Sequence, residues 1–175
     1  MILRRLWSQK DAQMGFTIIE MAVALIITGI IAAGAIMATM QIATQGTRNS
    51  EFTTASRHAQ NAIQWISRDA QMSQTLTLNG ASGFPLDLDW VQWDNSDHQI
   101  IYTISDGELR RSYYVNGEQQ NETLVAQYIN SVAENSTCEI TAENTLLVKI
   151  TATTGAGPRS ISVTKEREIT PRPGL

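Results

Sequence analysis

Gly15-Phe16-Thr17-Ile18-Ile19-Glu20 opens an apolar run that continues to Ala38 with Glu20 as its one charged residue. As a helix rising about 1.5 Å per residue, residues 16–38 span roughly 35 Å, enough to cross a bilayer. A carboxylate inside hydrocarbon is costly, so it points to a function and to a partner that offsets its charge. Thr17-x-x-Glu20 also matches a capping box, in which the acid reaches back to an unpaired amide at the helix start. That reading leaves Gly15 without a role.

Arg4, Arg5 and Lys10 precede the run, and the next positive residue is Arg48. Positive charge on this flank puts the N-terminus in the cytoplasm and the bulk of the chain outside. An ordinary secretory signal has a shorter apolar core without an acid, so Ala33-Gly34-Ala35 is a poor cleavage site. A cut between Gly15 and Phe16 explains more. Glycine lets a protease approach the scissile carbonyl closely, and the new α-amine on Phe16 lies four residues before Glu20.

The string QMGFTIIEMAVALIITGIIAAG, residues 13–34, strongly resembles the prepilin leader junction of the type IV pilin and type II secretion pseudopilin superfamily. The resemblance implies cleavage after Gly15, N-methylation of Phe16, and pairing of Glu20 with the Phe16 amine of a neighbouring subunit. It implies as partners a prepilin peptidase that also methylates, sister minor pilins or pseudopilins, an assembly ATPase, an inner-membrane platform protein and membrane lipid. Met37 stands where most major pilins carry a proline, which argues against a major pilin. The stretches 59–74 and 102–117 look like J-type minor pseudopilins and W-type minor pilins, implying a place in a filament tip.

Beyond the span, Phe52, Ala55, Ala59, Ala62, Ile63, Ile66, Ala70 and Ser73 recur at steps of three and four, the mark of an amphipathic helix. The expected spine runs from Phe16 to about Leu78, stopped by Asn79-Gly80 and Ser82-Gly83. From there the pattern turns to short strands. Leu86, Leu88 and Trp90 alternate with Asp87 and Asp89, while Asp106-Gly107 and Asn116-Gly117 signal hairpins. Further strands are expected at 137–142, 145–153 and 160–169, and 123–133 reads equally as strand or short helix. The fold class is α+β: a long helical spine on an antiparallel β-sheet head. Its expected divisions are 1–15 leader, 16–38 membrane half, 39–78 amphipathic half, 79–170 head and 171–175 flexible tail.

The 175 residues carry 13 Lys and Arg against 17 Asp and Glu, an acidic balance that argues against nonspecific nucleic-acid binding. Cys138 is alone, so no intrachain disulfide forms. Asp94, Asn95 and Asp97 make an oxygen-rich turn, a weak calcium candidate without the glycine and distal glutamate of an EF-hand. His58 and His98 lie in different elements and do not point to a metal. Trp90, Trp93, Tyr113 and Tyr114 form either a core or a stacking platform. No Gly-x-Ser-x-Gly elbow occurs, and neither an enzyme nor a cofactor is expected. Two other functions fit the same features: a DNA-uptake or adhesion pilin whose head binds ligand, and a signal-anchored extracytoplasmic domain that never polymerises.

Overall fold

Helix α1 covers Ile18–Ala70, followed by eight strands, in a computed structural model that describes residues 16–132, 134–141 and 145–172. The chain divides into two compact units, one ending at Gln45 and the other Gly46–Leu175. In the first, every described side chain is exposed and the helix is long and apolar enough to cross a membrane.

The second unit holds the rest of α1 and both sheets. Strands β1 (Thr75–Leu78), β2 (Leu86–Val91), β3 (Asp97–Ser105), β4 (Glu108–Val115) and β5 (Glu118–Ala126) form an antiparallel meander in sequence order. Asp106-Gly107 and Asn116-Gly117 make its two tight reversals, all four residues at positive φ. Strands β6 (Thr137–Ile140), β7 (Leu146–Thr154) and β8 (Ile161–Ile169) form a second antiparallel sheet. The chain is α+β.

One core joins these elements. Ala55, Ala59, Ala62, Ile66 and Ala70 of α1 are fully buried with Leu86, Leu88, Ile100, Tyr102 and Leu109 of the larger sheet and Val148 and Ile150 of the smaller. The sheets are also stitched through the main chain. After β5, Ile129 bridges Ala152, and Asn130 N and Thr153 N donate to Thr151 O and Tyr128 O. This occupies the part of the β7 edge that short β6 does not reach.

Two boundaries differ from the sequence reading. The helix stops at Ala70 rather than near Leu78, because Thr75-Leu76-Thr77-Leu78 alternates with period two and pairs with β2. Ser73 closes the last turn, its backbone N donating to Asp69 O and its hydroxyl to Ala70 O. The tail expected to be flexible from residue 171 instead begins with a buried Pro171; residues 173–175 lie outside the described set. The ambiguous stretch at 123–133 is strand as far as Ala126.

Candidate functional site

Phe16 and Glu20 sit at the start of α1, while Gly15 and the basic leader lie outside the described residues. Thr17 N and its hydroxyl both lie 3.4 Å from Glu20 Oε2, and Glu20 N donates to Thr17 Oγ1 at 3.3 Å. This is the reciprocal capping-box geometry, and it places the acid in the first turn, where the helix dipole favours it. In the uncut chain Phe16 N is an amide, so Glu20 serves the helix end and not an amine.

Behind it the helix is apolar on all sides. Phe16 is 83% exposed and Ile18 91%, and the same holds in degree for Met21, Leu25, Ile31, Met37 and Ile42. Such a surface belongs in lipid or among other helices. The polar atoms within it are satisfied locally: Thr28 and Thr39 hydroxyls donate to Ala24 O and Ala35 O at 2.7 and 2.9 Å. Hydroxyls closed in this way need no partner from lipid. Gly29 and Gly34 leave open space where a side chain would project.

In the head, the residues that fix α1 to the sheet were not evident in the sequence. Asp69, 2% exposed, accepts from Arg111 Nε at 2.6 Å and from the Tyr102 hydroxyl at 2.5 Å. The Arg111 guanidinium also lies 5.5 Å from the ring centres of Trp65 and Tyr113. Burial pushes the Tyr102 hydroxyl pKa up, and the Asp69 charge adds to it. Burial pulls Arg111 down, but its hydrogen bond to Asp69, the Asp69 charge and Tyr102 together more than offset that, leaving it raised. The available signal was an acid three residues after Ile66, on the buried stripe. Further along, His58 Nδ1 accepts from Gln127 N at 3.0 Å and Asn61 Nδ2 donates to Val125 O at 3.4 Å. Helix side chains thereby satisfy main-chain groups at the end of β5 and just after it.

The other candidates separate. Asp94 Oδ1 is occupied within its own turn, accepting from Ser96 N and Ser96 Oγ at 3.0 and 2.5 Å. Those bonds, the hydroxyl first, hold its pKa below the usual carboxylate range. Asn95 takes positive φ, and Asp97 opens β3 with its N–H donating to Asn116 Oδ1. Among the described residues, no three His, Cys, Asp or Glu side chains are grouped to hold a metal ion. Trp90 and Tyr113 stack with His98, Trp90 at 5.1 Å and 7° from it, whereas Trp93 stands 91% exposed in the β2–β3 loop. Tyr114 points to the opposite side of β4 from Tyr113. Arg110 pairs with Glu108 and Glu122 at the surface. Cys138 is buried, which pushes its thiol pKa up and away from reactivity.

Compared with family models, curated proteins and solved structures, the chain matches none. Its functional reading rests on its own residues.

Proposed function

We propose that this chain is a minor pilin or pseudopilin of the tip-forming type. It is held in a bacterial inner membrane by residues 16–38, with its N-terminus cytoplasmic and its head outside. The observation that carries the reading is the segment 16–38 of α1, exposed and apolar on all sides, whose one acid, Glu20, lies five residues after Gly15. Cleavage after Gly15 turns the Phe16 amide into an α-amine with an ordinary pKa of about 7.7–8, cationic at neutral pH. Glu20 is then free to exchange its intrahelical bonds with Thr17 for the amine of a neighbouring subunit. The pair lowers the cost of both charges in lipid and sets the axial register of adjacent helices.

The open flanks at Gly29 and Gly34 support close helix approach in such a bundle. The head's part is recognition rather than catalysis, with the peptidase, assembly ATPase and platform protein supplying the chemistry. The test is intact-mass measurement of the protein from cells that contain a prepilin peptidase. The expected product begins at Phe16 and carries one added methyl. A mature chain that retains Met1 would favour the non-polymerising signal-anchored domain and sink this reading.

A further inference from the structure

Where α1 ends, the inner face of the larger sheet continues and a groove of about 720 Å³ opens between residues 71–74, the β2–β3 loop and Arg172. Its lining includes Trp90 and Trp93, Gln71, Gln74 and Gln92, and Arg172. Among the described residues, no Asp, Glu or Lys lines it. We propose that this groove is a carbohydrate-binding site for an oligosaccharide of two or three sugars.

A pyranose ring has one face of C–H bonds and a rim of hydroxyls, each both donor and acceptor. An indole face suits the first, and a primary amide, with two donors and a carbonyl acceptor, suits a pair of neighbouring hydroxyls. Among the described residues the amides of Gln71 and Gln92 take no protein partner. Gln74 is oriented: its Oε1 accepts from Val91 N at 3.2 Å, which leaves its NH2 group to donate elsewhere. Arg172 offers a place for one carboxylate, as in a uronic acid. The volume falls in the ordinary range of about 300–1,000 Å³ for small-ligand sites.

One indole, and the loop that carries the other, are held before any ligand arrives. Trp90 is stacked on His98, which is itself fixed between Ser96 Oγ at 2.9 Å and the Tyr113 hydroxyl at 2.6 Å. Trp93 projects from a loop closed by Gln92 N to Ser96 O and by the Asp94–Ser96 bonds. The fixed Trp90 ring loses less freedom on binding than a mobile one would. An indole 91% exposed has no packing role in the folded chain. A protein partner would also bury it, but three hydrogen-bonding amides around a concave, acid-free surface match a polyhydroxyl ligand better.

The test uses the full chain in lipid nanodiscs free of glycolipid and sugar-based detergent. Tryptophan fluorescence is titrated with chitotriose, cellotriose, maltotriose and a hyaluronan tetrasaccharide. At least one probe is expected to saturate with a Kd on the order of 1 mM. Trp93→Ala and Gln92→Ala should weaken it about tenfold or more, with Trp93→Phe retaining binding and all three melting like the parent. No saturation by any of the four up to about 20 mM, or binding unchanged in Trp93→Ala, overturns the proposal. So does a loss of self-association in Trp93→Ala with no effect on sugar, which would assign the groove to a protein. Neither outcome depends on whether the leader is cut.

Discussion

Arg111 Nε donates to Asp69 Oδ2 at 2.6 Å, joining the last turn of α1 to the middle of β4 across the buried inner face of the sheet. Asp69 is enclosed by core residues, and Arg111 and Tyr102 together offset its charge there, the ion pair carrying the larger part. The pair fixes where along the helix the sheet docks.

Removing one partner leaves a buried charge alone, at a cost of about 3–5 kcal/mol. Arg111→Ala is therefore expected to lose that much stability in denaturant unfolding of the full chain in micelles. Arg111→Lys should recover little, because a point-like ammonium cannot both bond Asp69 and lie flat over Trp65. Tyr102→Phe should cost less, about 1.5–3 kcal/mol, since the ion pair remains. Wild-type stability in Arg111→Ala would show that Asp69 is not buried as described.

Gly83 carries φ +79° and a Cβ there would lie 2.1 Å from Cys138 O. The loop it belongs to is tied to β6 by Cys138 N donating to Ser82 O at 2.9 Å. Gly83→Ala must push the two backbones apart and should destabilise by about 3 kcal/mol or more. Cys138 gives the readout: shielded from thiol reagents in the parent, it should label readily in the variant. Unaltered protection would contradict the contact.

Asp87 has one carboxylate oxygen buried without a partner among the described residues, while the other accepts from Asn79 Nδ2 at 3.2 Å. Burial raises its pKa above the ordinary 3.8, the Asn79 bond opposing. Asp89, on the same side of β2, is raised by burial and then by Asp87. A carboxyl whose folded pKa is raised helps stability below its unfolded pKa, and that help is lost as pH rises through the folded value. Asp87→Thr should thus melt about 1–3 °C higher than the parent at pH 7, as expected for a partly exposed group screened by solvent. The pH-dependent part of this gain should disappear near pH 3. A gain that grows as pH falls would reverse the assignment.

Glu20→Val keeps the helix and its exposed apolar surface, so leader removal should proceed normally. Loss of the carboxylate should instead impair co-assembly, seen as a several-fold drop in crosslinking between adjacent subunits. Thr17→Val separates the two roles of Glu20, since it weakens the capping box by about 0.5–2 kcal/mol but leaves the acid free to pair. Equal crosslinking in Glu20→Val and the parent would count against the charge pair.

Much of the architecture was legible because it rests on local chemistry. Asp106-Gly107 and Asn116-Gly117 specify their turns, since few other pairs tolerate positive φ at both positions. The alternation around Leu86, Leu88 and Trp90 correctly named the residues that face inward on β2, with Trp90 at the edge of the core. The helix end was missed because Thr75–Leu78 follows a helical pattern closely and its own period-two signal is only four residues long. Strand pairing with β2 decides it, and a partner ten residues away is invisible to a local window.

The sequence by itself determined the apolar segment, its solitary acid, the α+β class and the main hairpins, because each depends on residues close together in the chain. Only the tertiary structure decided that Asp69 meets Arg111 and Tyr102, that His58 and Asn61 serve the main chain at Gln127 and Val125, and that Trp90, Trp93 and Arg172 border one groove. Most of those groups are separated by tens of residues, 42 between the ion-pair partners. They come together only when burying one alanine-lined helix face brings two sheets around it.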